Sequence, residues 1–287
     1  MLAWQRAVLV GLSTLALAKA WVHHGSGAAH QAAVLRSVVA VDAGEAQARS
    51  GERDADEASH QRFRAFARSH FPFFAAETGD YGGRDWVFLE NAGGSQVPAC
   101  VAKGAHDALS VRWRVELGRR HVERARLVAR CILGACGGDV VLGSSASHLL
   151  RAVADAYADS AALGAGDEVI VCEWSHEANV APWLHAAAKA GAIVKWWRLD
   201  PRTGEPPPPE SIGELLSPRT RIVAITQVSN ILGTVCDVGR VTRLVRRHDG
   251  DLARGASPPG EGCAVVVDGV AWVPHRAADV DAIGCDW

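Results

Sequence analysis

At 287 residues, 48% hydrophobic and 22% charged, the chain can bury a large core and has room for one large domain or a domain and a half. A formal net charge of -2 argues against a broad basic surface for nucleic acid or an anionic membrane. The seven cysteines form no CxxC pair, so neither a zinc ribbon nor a disulfide framework is signalled and no metal site is expected.

Residues 1–20 carry one early Arg, an apolar run over residues 7–18 and an Ala-Lys-Ala ending. The run is short for a membrane span, so it reads as a targeting peptide to an organelle or for secretion, with a short anchor or a misplaced start as alternatives. Residues 21–60 are rich in Ala, Gly and charge without periodicity and read as a linker or disordered arm; order is expected from about residue 61. Residues 86–90, WVFLE, read as a short strand that ends in Asn91-Ala-Gly-Gly-Ser95, a loop where backbone can approach a ligand. Two helices are expected over residues 97–135.

Strand and helix then alternate strictly. Strands are expected over residues 139–142, 166–173, 192–199, 221–226 and 264–268, with helices over 146–162, 179–190, 210–216 and 238–248 between them. This pattern predicts an α/β fold, a mostly parallel, doubly wound sheet with helices on both faces, within a domain over residues 61–287. In such a sheet the loops leaving the strands lie along one edge, where ligands bind.

Each of those loops carries a distinctive polar group. The first holds Ser144, Ser145, Ser147 and His148 at a helix start, whose free N–H groups favour an anion by roughly 0.3 to 2 kcal/mol; simple serine capping is the plainer reading. The second holds His176, with Ser175 available as the N-cap, either a ring to stack on a flat cofactor or a histidine satisfied by backbone. Asn230 follows the fourth strand, a neutral donor for a phenolic oxygen or a carboxylate, or an ordinary turn residue. Asp268 ends the run AVVVD, where a buried carboxylate needs a cationic partner or several donors. Phosphate seat, stacking ring, neutral donor and an acid for a ring nitrogen together describe a pocket for pyridoxal 5'-phosphate: the ring drains electrons from a substrate only while its nitrogen is protonated, and a carboxylate beside it raises that pKa. A Rossmann nucleotide site is disfavoured, because no GxGxxG follows the first of these strands.

The stretches FLENAGGSQVP (88–98), GDEVIVCEWSHEANVAPW (166–183), LDPRTG (199–204), SPRTRIVAITQVSNILGTV (217–235) and VVVDGVAWVPHRAADVDAIGCDW (265–287) carry a resemblance that runs in family order from about residue 71 to the end. The chain resembles the class V aminotransferases of fold type I, in their cysteine desulfurase and selenocysteine lyase branch. The resemblance implies the pyridoxal-phosphate-binding large domain of a homodimeric enzyme acting on cysteine or a related amino acid. By the same resemblance His176 is the ring-stacking and proton-transferring histidine, Asp268 the partner of the pyridine nitrogen, and Ser145, Ser147 and His148 the phosphate loop. Asn230 then lies near the ring oxygen and the substrate, and Asn91 faces the substrate.

Three departures accompany it. Val270-Ala271-Trp272 replaces the glutamine that follows the aspartate in desulfurases, and GSSASH is a loose version of the family's Thr-Thr phosphate loop. The Schiff-base lysine has no counterpart: the four lysines are Lys19, Lys103, Lys189 and Lys195, none in the matching place. The expectation is an N-terminal part of such an enzyme, inactive by itself and without the small C-terminal domain; a cofactor- or partner-binding pseudoenzyme is the alternative.

Overall fold

The computed structural model describes residues 7–11, 50–75, 87–89, 91, 94–110, 115–135, 138–160, 162–253 and 262–287. They fall into two units, one of Met1–Leu12 with Arg126–Trp287, the other of Ser13–Ala125.

In the unit Ser13–Ala125, helix α1 (Ser50–Ser69) begins inside the stretch read as an irregular arm. Residues 21–49 lie outside the described residues. Helices α2 (Pro72–Ala75) and α3 (Ala99–Ser110) follow, and α4 (Val115–Leu133) starts here and ends in the other unit. Residues 87–89 form no strand: Phe88 packs edge-on against Phe73 with ring centroids 5.6 Å apart. An aromatic run without a partner strand satisfies itself through its side chains.

Among the described residues, the larger unit holds six strands. Of the residues read as a leader, Ala7–Gly11 forms β1 and pairs in parallel with β2 (Asp139–Gly143); the others of residues 1–20 lie outside the described residues. The remaining strands are β3 (Glu168–Cys172), β4 (Ile193–Trp197), β5 (Thr220–Thr226) and β6 (Ala264–Asp268). They form one all-parallel sheet in the order β4-β3-β5-β6.

Period-two alternation along these strands feeds two cores. Val169, Val171, Ile222, Ala224 and Val266 face helices α5 (Ala146–Asp159) and α6 (Ala181–Ala190). Ile170, Val223, Ile225 and Val265 face Val241 and Val245 of α7 (Val238–Ala253) and Ile212. The sheet is therefore covered on both faces, as expected of the doubly wound reading. Ile212 lies in a 3-10 turn, Pro209–Glu214, rather than the α-helix expected over 210–216. After the short helix α8 (Val280–Ile283), the chain returns alongside β6, where Trp287 N–H donates to Val265 O at 3.2 Å and Val267 N–H to Trp287 O at 2.9 Å. Asp286 secures this pairing, accepting from Val265 N–H at 2.7 Å and from Arg246.

Glu168, at the entry end of β3, is 2% exposed. Burial alone would raise its pKa, but Lys195 at 2.7 Å and the hydroxyls of Ser217 and Thr220 outweigh burial and hold it at about 2. A carboxylate lowered from 4.5 adds stability above that value and loses it as pH falls toward 2. Wild type should exceed Glu168→Gln by about 2 to 3 kcal/mol at pH 7. Urea unfolding at stepped pH should show the gap closing below pH 4.5.

Candidate functional site

The exits of β3, β5 and β6 meet along one edge of the sheet. Thr226 pairs with Asp268 in register, and Gln227 N–H donates to the Asp268 carbonyl at 2.9 Å, so the loop after β5 starts beside the end of β6. Asp268 is 8% exposed. Its Oδ1 accepts Val270 N–H at 2.9 Å, while Oδ2 accepts no hydrogen bond from the described residues. Burial pushes its pKa up; the Val270 bond and the nearby His176 ring pull the other way without overcoming it. The carboxylate is thus short of the compensation its burial demands, and a protonated ring nitrogen would supply it.

His176 leaves β3 after Trp174, which is buried and packs against Trp197 at 4.9 Å between ring centroids. Glu173 ties this exit to that of β4, accepting from Leu199 N–H at 2.9 Å and Arg198 at 3.0 Å, bonds that lower its pKa. The N-cap of the 3-10 turn Glu177–Asn179 is His176 itself, not Ser175 as the sequence suggested: Nδ1 accepts Ala178 N–H at 3.0 Å. Helix-start geometry falls one residue later, and an imidazole nitrogen serves as the acceptor that a serine oxygen usually provides. With Nδ1 engaged as acceptor, the neutral ring carries its proton on Nε2. The ring is exposed, leaving a face for a flat ligand.

Asn230 is exposed at the tip of a small loop closed by the Val228–Val235 bridge and by Gly233 N–H to Ser229 O at 2.9 Å. Its amide makes no hydrogen bond with the described residues and is available to a ligand. The serine loop is partly self-satisfied. Ser145 is the N-cap of α5 and accepts His148 N–H at 3.1 Å, and Ser144 lies 3.3 Å from the His148 ring. Ser147 is exposed. Helix α5 packs on the turn that follows His176 and on α6, but no hydrogen bond joins residues 144–148 to His176, Asn230 or Asp268. Asn91 belongs to the other unit, exposed in a turn with Gly94 N–H to Asn91 O at 3.2 Å.

Two residues at this edge escaped the sequence reading. Asn179 is wholly buried, and Gln227, 9% exposed, adjoins Gly269 and Asp268 with an amide that makes no side-chain hydrogen bond to the described residues. The spacing Asn179 to Trp183, four apart at a helix start, signals the first; the second needs the β5–β6 register. Cys172 and Cys263 are buried and Cys236 half-buried, and burial raises all three thiols, Cys236 to about 11, so they are core groups rather than nucleophiles.

The sequence model of the family described as Aminotransferase class-V matches residues 87–287. The chain belongs to the class-V aminotransferase family. It is 34% identical over 213 residues to the aminotransferase-like protein FGM3 of Gibberella zeae, covering 70% of this chain and 49% of that one. It is 30% identical over 236 residues to a cysteine desulfurase of Klebsiella pneumoniae, covering 77% and 52%. Among solved structures it resembles the cysteine desulfurase CsdA of Escherichia coli, with a TM-score of 0.58, 26% identity and coverage of 77% and 52%. This class-V aminotransferase chain thus spans about half the length of the relatives it matches. The family is pyridoxal-phosphate-dependent, and its fold agrees with the parallel sheet described above.

Proposed function

We propose that this chain forms the cofactor-binding part of a pyridoxal-phosphate enzyme that acts on an amino acid, with cleavage of the C–S bond of cysteine as the leading reaction. The observation that carries the reading is Asp268: a buried carboxylate at a strand exit, one oxygen uncommitted, beside an exposed imidazole. The donor set fits the group. Asp268 would hold the ring nitrogen in its protonated form, the fixed face of His176 would cover the ring, and the open amide of Asn230 would meet a ring oxygen or the substrate carboxylate. Ser147 would offer its hydroxyl to the phosphate, with α5's first N–H groups behind it. Bound there, pyridoxal phosphate would supply the electron sink for carbanion chemistry at the substrate's α-carbon. His176 can donate from Nε2 at once, but its Nδ1 can take a proton only by giving up the Ala178 cap.

Each described lysine is already engaged: Lys195 with Glu168 at the opposite end of β3, Lys189 with Asp159, and, within the other unit, Lys103 with Asp107. That placement favours non-covalent retention of the cofactor by this chain, and equally suits a binding role without catalysis. The test is a pyridoxal-phosphate titration of the purified chain followed by tryptophan fluorescence, then borohydride and intact-mass measurement. Saturable quenching with no covalent mass gain is expected; absence of saturation, or a labelled lysine, would overturn the reading. Homodimerisation, and routing by residues 1–20, belong to the same proposal and rest on the family resemblance and the sequence pattern.

A further inference from the structure

Asn179 takes no part in the roles assigned so far, yet it is the buried polar group that joins the His176 turn to the sheet. It is 0% exposed. Its Nδ2 donates to the carbonyl of Ile225 on β5 at 3.1 Å, and its Oδ1 accepts from the indole Nε1 of Trp183 on α6 at 3.2 Å. Asn179 N–H donates to His176 O at 2.8 Å, closing the turn that the His176 ring caps from the other side. Ile225 is the residue before Thr226, which pairs with Asp268. One amide therefore links the loop that carries the imidazole to the strand beside the one that carries the carboxylate.

The structure assigns Asn179 the part of a positioning residue: its bond to Ile225 fixes the turn so that His176 presents one ring face and the Nε2–H tautomer at the Asp268 edge. The chemistry requires a primary amide. The side chain must donate to a carbonyl and accept from an indole at once, which an ionised aspartate cannot do and serine is too short to do. Both partners are buried, so a missing bond cannot be replaced by water without opening the loop. The use made of the ring rests on the pyridoxal-phosphate reading; its positioning does not.

The experiment compares Asn179→Asp with Trp183→Phe in the chain as it stands, without cofactor. Aspartate keeps the acceptor for Trp183 and loses the donor to Ile225, whereas phenylalanine leaves that donor in place. Nitrogen-15 NMR of labelled histidine, with the His176 signal assigned by its loss in His176→Gln, should show a single Nε2–H tautomer in wild type and in Trp183→Phe. In Asn179→Asp it should show a mixture of tautomers. The same pattern in wild type and Asn179→Asp, or its loss in both variants, would overturn the assignment. Should Asn179→Asp fail to fold, amide exchange in the unaltered protein decides: the Asn179 side-chain protons and the Ala178 N–H should exchange in one opening event, and independent exchange would overturn it. In a parallel arm with pyridoxal phosphate, Asn179→Asp should bind about tenfold more weakly, the effect of one lost hydrogen bond, and Trp183→Phe within twofold of wild type. If wild type itself does not bind the cofactor, the functional proposal falls and the tautomer measurement still decides the role of Asn179.

Discussion

Asp268→Asn should give a protein that is more stable than wild type at neutral pH and yet holds pyridoxal phosphate at least about a hundredfold more weakly. Both halves follow from one fact, the burial of a carboxylate without sufficient compensation. Its pKa is raised in the folded state, so the acid form favours the fold: the stabilisation is complete below the ordinary value of 3.8 and is lost as pH rises through the raised one. Asparagine keeps an oxygen for Val270 N–H and never ionises. The gain should be on the order of 0.5 to 2 kcal/mol at pH 7, a common return when a strained functional position is relieved. It should vanish below pH 3.8 in thermal unfolding. The cost appears in the ligand: removing one member of a buried charge pair is worth on the order of 3 to 5 kcal/mol, which sets the hundredfold floor. An Asp268→Asn protein that quenches with wild-type affinity would show that the ring nitrogen does not meet this carboxylate.

Trp183→Ala should come close to abolishing the cooperative fold of the larger unit. The indole is wholly buried between α6 and the sheet and lies edge-on to Tyr157 at 6.1 Å between centroids, in the same cluster as Val169, Val171 and Ile222. Truncation leaves a cavity costing about 3 to 5 kcal/mol, against total stabilities of about 5 to 15 kcal/mol for domains in general. The oxygen of Asn179 also loses its donor. Chemical denaturation should show a large fall in midpoint or a broad, non-cooperative transition, whereas Trp183→Phe, which keeps most of the volume, should retain a sharp one. A Trp183→Ala midpoint within 1 kcal/mol of wild type would mean that the site collapses around the gap far better than its packing suggests.

Four of the five expected strands form the parallel sheet and are legible because strands buried on both faces read as unbroken Val and Ile runs, with Asp268 standing out as the charge that ends one; the fifth, β2, pairs with β1 in a separate sheet among the described residues, a partner choice that its side-chain pattern does not encode. His176 and Asn230 are legible as strand-exit residues for the same reason. What the sequence hides is set by geometry between segments. Which residue caps the turn after β3 depends on where the first helical dihedral falls, and neither composition nor motif separates Ser175 from His176. Gln227 gains meaning only once β5 and β6 are in register. The run WVFLE reads as a strand by its side chains, but a strand exists only where another backbone meets it. The proposed phosphate seat is the least legible part, since a serine that caps a helix and one that holds an anion occupy the same position.

The strand bearing Asp268 is gripped along both sides, by β5 on one and by the returning Asp286–Trp287 segment on the other, with Arg246 bonded to Asp286 and to the Cys263 carbonyl at 2.6 Å. Such a strand cannot slide to meet an incoming molecule. At the rim, Ile231 is 83% and Val270 57% exposed on loops outside the sheet ladder. These apolar tips are the exposed parts of the rim, and substitutions among them should change how fast a ligand leaves more than which ligand is chosen.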